Sequence, residues 1–199
     1  MRVFIILIAV IAFTSTCDAQ DFTKAMATAK TSYSAGKLED AHFALQQAMQ
    51  EVDLTIGKEV LKLLPPKIDA MDIMAKNDNV ASNVGFVGAT IHRDYGNGTR
   101  KANIEIISNS PLIAMTNTIL NTPLLGGMMG DSKNKTVKVQ GYKARLEKQP
   151  GSTNDKNSYE LQIPLGSALF TFRVNDCTDS QILQLADTIP LQNIAKLIE

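Results

Sequence analysis

The 199-residue chain contains no tryptophan, two histidines, two cysteines and no excess of either charge, and each scarcity removes a class of function. Lysine plus arginine equals aspartate plus glutamate at 20 each, so the net charge is zero. Such a chain has no long-range field with which to hold a phosphate backbone or an anionic membrane surface, which argues against nucleic acid as a partner. His42, His92 and the one cysteine expected in the mature chain, Cys177, are too few for the usual four-ligand transition-metal site unless carboxylates complete it. The glycine runs "GNG" and "GGMMG" lack the strand, helix and lysine context of phosphate loops. Asp69, Asp72, Glu105, Glu147 and Glu160 show no spacing that brings a pair together for general acid-base work. No cofactor, metal or catalytic residue is therefore expected.

Long apolar runs are also missing. The longest, Val3 to Phe13, falls short of the roughly 20 residues a membrane-spanning helix needs, and no later segment reaches that length. With Arg2 before it and the small-residue run "TSTCDA" after it, this segment reads as an export signal over residues 1–19, cut after Ala19. An acylated Cys17 is the rival reading, but Thr14 and Thr16 stand where a lipid-attachment site wants an aliphatic and a small residue. Ordinary cleavage leaves Cys177 alone, so the fold must rest on its core without an intramolecular disulfide. The mature chain is expected to be soluble, in the periplasm or cell envelope.

What is present reads as an α+β protein. Residues 20–66 are expected to form a helical hairpin. Leu38, Ala41, Leu45, Ala48 and Val52 make one stripe, Ala25, Ala29 and Tyr33 another, and Gly36 turns the chain. This segment resembles a single tetratricopeptide-type hairpin, with Ala29, Gly36, Ala41 and Ala48 at that repeat's small-residue places. "TIGKEVLKLL" reads as a further short helix, and residues 67–87 as a linker.

Residues 88–199 then carry an antiparallel sheet of about six strands with helices on one face, as a sheet with one wet side requires. A turn at Asn97-Gly98 would pair Asp94 with Lys101, His92 with Asn103 and Ile91 with Ile104. Two short strands flank Gly141. A turn at Gly166-Ser167 would pair Ile163 with Phe170, Leu161 with Phe172, and Glu160 with Arg173. Thr178 and Gln181 can cap a closing helix striped by Ile182, Leu185, Ala186 and Ile189.

From Ser108 to Gly130, "SNSPLIAMTNTILNTPLLGGMMG" carries no ionisable side chain in a chain where 20% of residues are charged. Ser110-Pro111 opens a helix and Gly126-Gly127 ends it. Leu112, Met115, Ile119 and Leu120 are expected on one side, most simply covering the sheet, with Leu124 and Leu125 following. Met128 and Met129, in a glycine-flanked loop, suit adaptable apolar contacts. These eight residues form the candidate surface for an unknown protein or an apolar small molecule.

Ser110, Pro111, Met115, Asn121, Pro123, Gly126, Gly127, Gly141 and Ala144 match a pattern seen in a group of uncharacterised exported proteins of Gram-negative bacteria. In that group a strand ending in Ser-Pro leads to a methionine-rich helix, Asn-x-Pro, a glycine pair and a strand with Gly-x-x-Ala. The chain resembles the group over roughly residues 60 to 199, which implies an envelope location and no assigned activity. The order of elements is also similar to small periplasmic domains of the photosystem-P type, an analogy of fold alone. The expected function is a non-catalytic exported binding or assembly module. A carrier of a lipid or other apolar small molecule is the alternative, and a thiol enzyme using Cys177 with His92 the third reading.

Overall fold

The structure, a computed structural model, describes residues 17–83, 87–96, 98, 100–121, 134–150 and 157–198. Residues 1–16 of the expected export signal (1–19), and Leu124, Leu125, Met128 and Met129, lie outside the described residues. The chain divides into two compact units, Met1–Ala48 and Met49–Glu199.

The first unit holds helix α1 (Cys17–Ser34) and the beginning of helix α2 (Leu38–Leu63). Gly36 turns the chain between them at φ 72°, in the left-handed region that glycine occupies without cost. The buried side chains of this unit are all alanines: Ala25, Ala29, Ala41, Ala44 and Ala48. Small residues let two helices approach closely. The expected stripes are therefore only partly inside, because Tyr33, Leu38 and Leu45 are exposed, as is Val52 farther along α2.

In the second unit, α2 continues without interruption through Gly57, so the expected separate short helix is part of one 26-residue helix. A mid-helix glycine costs about 1 kcal/mol relative to alanine. Here it makes room: a β-carbon at Gly57 would collide with Val80 and stand 3.3 Å from Ile91 Cγ1.

Nine antiparallel strands, not about six, form one sheet among the described residues. Residues 67–83, expected to be a linker, supply β1 (Lys67–Ile68), β2 (Met71–Ile73), a 3-10 turn (Ala75–Asn77) and β3 (Asn79–Asn83). These short pieces carried no clean alternation, yet β2 and β3 both pair with β4 (Val87–Gly96). The order runs β1-β2-β4-β5-β9-β8-β7-β6, where β5 is Lys101–Ile107, β6 Asn134–Val139, β7 Tyr142–Pro150, β8 Asn157–Leu165 and β9 Ala168–Cys177.

The β8–β9 hairpin has the expected register, with Ile163 opposite Phe170 and Glu160 opposite Arg173. The β4–β5 hairpin is slipped by two residues from expectation. Gly96 pairs with Lys101, so His92 faces Glu105 and Asp94 faces Asn103. A slip of two keeps every side chain on its face while changing its partner.

One face of the sheet carries Ile91, Tyr95, Ile104, Ile106, Leu146, Leu161, Ile163, Phe170 and Phe172. They form one core with Val60 of α2, with Leu64 just past its end, and with the apolar sides of α4 (Asp179–Ala186) and α5 (Leu191–Ile198). Burying each of these large side chains contributes roughly 1.5–3 kcal/mol. Thr178 Oγ1 accepts from Gln181 N at 3.2 Å and Gln181 Oε1 from Thr178 N at 2.9 Å, the expected cap of α4.

Helix α3 (Leu112–Asn121) packs against β7, β8 and β9. Asn121 at its end accepts a hydrogen bond from Lys143 Nζ at 3.1 Å. Lys143 alternates with the buried Ala144 and so belongs to the face opposite the main core. The expectation of helices on a single face therefore does not describe α3.

Candidate functional site

The uncharged helix α3 is fixed at both ends. Ser110, buried at its start, donates its backbone N–H to Ser167 O at 3.2 Å in the β8–β9 turn. Its Oγ accepts from Leu112 N at 3.3 Å. The helix starts three residues after Asn109, which has a left-handed φ of 50° and turns the chain out of β5.

Between these anchors α3 is rotated away from the expected orientation. Thr116 and Leu120, four residues apart, are its buried positions. Leu112 and Met115 are exposed at 47% and 56%, and Ile119 is half-buried. Of the expected apolar side, only Leu120 is buried. The cause is local: the Ser110 and Asn121 bonds set the helix's rotation, and threonine fits against the sheet as an apolar side chain would. The structure thus brings Leu112, Met115 and Ile119 onto one side of α3, with two of the three open.

The polar face of the sheet carries a lattice of ion pairs. Arg173 on β9 binds Glu160 Oε2 through Nε at 2.6 Å and Glu105 Oε2 through a terminal nitrogen at 3.0 Å. Burial opposes its charge, and the bonds to Glu160 and Glu105 outweigh it, so the pKa lies above the ordinary arginine value. Two carboxylates that looked unrelated in sequence therefore converge. Only the β8–β9 half of that pairing was legible, because the partner of β5 could not be read from the chain. His92 Nε2 stands 3.1 Å from Asp94 Oδ1, and Asp94 Oδ2 accepts from Asn77 Nδ2 at 2.8 Å.

At the end of this face a cavity of about 220 Å³ is lined by Asn77, Asp94, Lys101, Asn103, Arg173 and Asn175, among others. Its lining is mixed, since Met74, Tyr95 and Ala102 share it with these polar side chains. Asn103 Oδ1 is enclosed there without a hydrogen-bond partner among the described residues.

The third reading, a thiol enzyme, needs Cys177 to be activated, and the structure places it otherwise. Cys177 is buried, donates to Val174 O at 3.4 Å, and burial pushes its pKa up to about 11, outweighing the nearby Arg100 charge. Nor does the sheet bring it to His92. His92 is level with Glu105 and hence with Thr171, six residues before Cys177 on β9. At about 3.3 Å per residue that is roughly 20 Å along the strand.

The buried Arg93 had no warning in the sequence, since it occupies an inward position of β4 among isoleucines. Its guanidinium binds Asp78 through Nε at 3.0 Å and a terminal nitrogen at 2.6 Å, and reaches Leu61 O and Leu64 O at 2.9 and 3.2 Å. The bond to Asp78 raises its pKa against the opposing effect of burial. This is a structural ion pair that closes the end of α2. Among the described residues no group of three or more histidine, cysteine, aspartate or glutamate side chains could hold a metal ion, and no helix is long and apolar enough to cross a membrane. No protein-family model matches this sequence, and no curated protein matches it.

Proposed function

We propose that this chain is an exported, non-catalytic binding module of the periplasm or cell envelope that engages a protein partner through the outward side of α3. The observation that carries the reading is the exposure of Leu112 and Met115 on a helix without a charged residue. A solvated helix face is ordinarily polar, and interface centres are depleted of charge and enriched in methionine. The carrier alternative needs an enclosed apolar space, whereas the cavity beside Asn103 is half open and has the charged groups of Asp94, Lys101 and Arg173 in its lining. A thiol enzyme would need an activated cysteine, and Cys177 is shifted the other way.

A photo-reactive residue placed at Met115 in the cell envelope tests the reading. It should give a discrete polypeptide adduct that Leu112→Lys weakens at least about tenfold, roughly the loss of one buried interface anchor. The same probe at Lys138, an exposed strand residue, should not give it. Equal labelling from both positions would refute the assignment.

A further inference from the structure

The N-terminal hairpin leaves its large apolar residues outside and its alanines inside, and that division has a geometry. At 3.6 residues per turn, Phe22, Met26, Ala29 and Tyr33 fall within about 60° of one another on α1. Leu38, Ala41, Leu45 and Ala48 fall within about 80° on α2. Each stripe thus has a small edge, which is buried, and a large edge, which is not. Phe22 is 39% exposed, Met26 42%, Tyr33 70%, Leu38 64% and Leu45 46%.

The two open edges lie on the same side of the hairpin. On both helices the large residues are displaced from the buried alanines in the direction of increasing rotation along the chain. In an antiparallel pair, equal displacements of that sense emerge on one common face. Within the hairpin, over residues 22–34 and 38–48, no charged residue falls in either stripe.

We infer that this face is the contact between two copies of the chain, joined about a two-fold axis into a four-helix arrangement. The area is the reason for choosing a second copy. With side chains of roughly 200 Å² each, the five exposed fractions amount to about 500 Å² of apolar surface. That equals the apolar share, about 65%, of the roughly 800 Å² that each partner gives to a standard homodimer interface. A face with two parallel apolar ridges and no charge is complementary to itself, as an isologous contact requires. The zero net charge adds no repulsion between copies. The inference concerns a different surface from α3 and does not rest on the function proposed for that helix.

Sedimentation equilibrium of the exported chain, purified intact, decides the matter. The expected mass is twice that of one chain. Leu38→Lys combined with Leu45→Lys should halve it while leaving the circular dichroism spectrum unchanged. Tyr33→Lys, a single change on the other helix, should raise the dimer dissociation constant at least about tenfold, the loss expected at a central contact residue. Phe43→Lys, at an exposed position on the other side of α2, should leave the dimer intact. A wild-type chain that stays monomeric at all concentrations, alone or with a different polypeptide bound, would overturn the proposal. So would a dimer that survives the double lysine variant, or one that Phe43→Lys dissociates equally.

Discussion

Cys177 ends β9 with its thiol turned into the core, and its protonation is linked to stability. Burial holds the folded thiol's pKa at about 11 against an ordinary 9.0. The folded state therefore keeps a proton that the unfolded chain releases, and stability present below about pH 9 is lost as the pH rises toward 11. The loss expected is roughly 2–3 kcal/mol. Tyr95, whose phenol donates to Pro65 O at 3.0 Å, behaves alike: burial raises its pKa from 10.0 to about 12, adding a decline over that window. Urea unfolding at stepped alkaline pH should show both declines, and Cys177→Ala should remove the one that begins near 9. A slope unchanged by that substitution would mean the thiol is not buried as described. The same enclosure predicts slow alkylation of the folded protein at neutral pH.

Helices in this fold borrow the groups that finish them from the sheet. The last carbonyls of an α-helix have no partner within it. For α2, Arg93 on β4 binds Leu61 O and Leu64 O while pairing with Asp78. For α4, Gln140 in the β6–β7 turn donates to Ala186 O, Asp187 O and Ile189 O. Arg93→Met should cost about 3 kcal/mol, since it strands Asp78 and two carbonyls at a partly buried site. Adding Asp78→Leu should recover part of the loss. Denaturant midpoints at a common slope check both, and a single-variant loss below about 1 kcal/mol would contradict the capping role.

Such long-range partners explain what the sequence could and could not show. The β8–β9 register and the α4 cap were legible because each depends on residues a few positions apart. The β4–β5 slip depended on a connection two residues longer than a tight Asn-Gly turn. Strands β1 to β3 were invisible because β2 and β3 take their register from β4. At the candidate site, α3 was legible as an uncharged helix, but its rotation depends on bonds from Ser110 to Ser167 and from Lys143 to Asn121. Those bonds bury Thr116 beside Leu120 and leave Leu112 and Met115 outside.

At the scale of the whole molecule, two separate uncharged apolar surfaces stand on a chain of zero net charge. Isolated apolar residues on a surface are ordinary, whereas grouped ones mark contacts. The hairpin face suits a second copy, and the α3 side is left for another polypeptide. The most direct test of the central claim, that the protein works by binding polypeptides, is native mass spectrometry of the chain purified from its own cells without detergent. The account predicts masses that resolve entirely into polypeptide chains, with two copies of this one among them. A single apolar small molecule leaving each chain on activation would contradict it and make the protein a carrier.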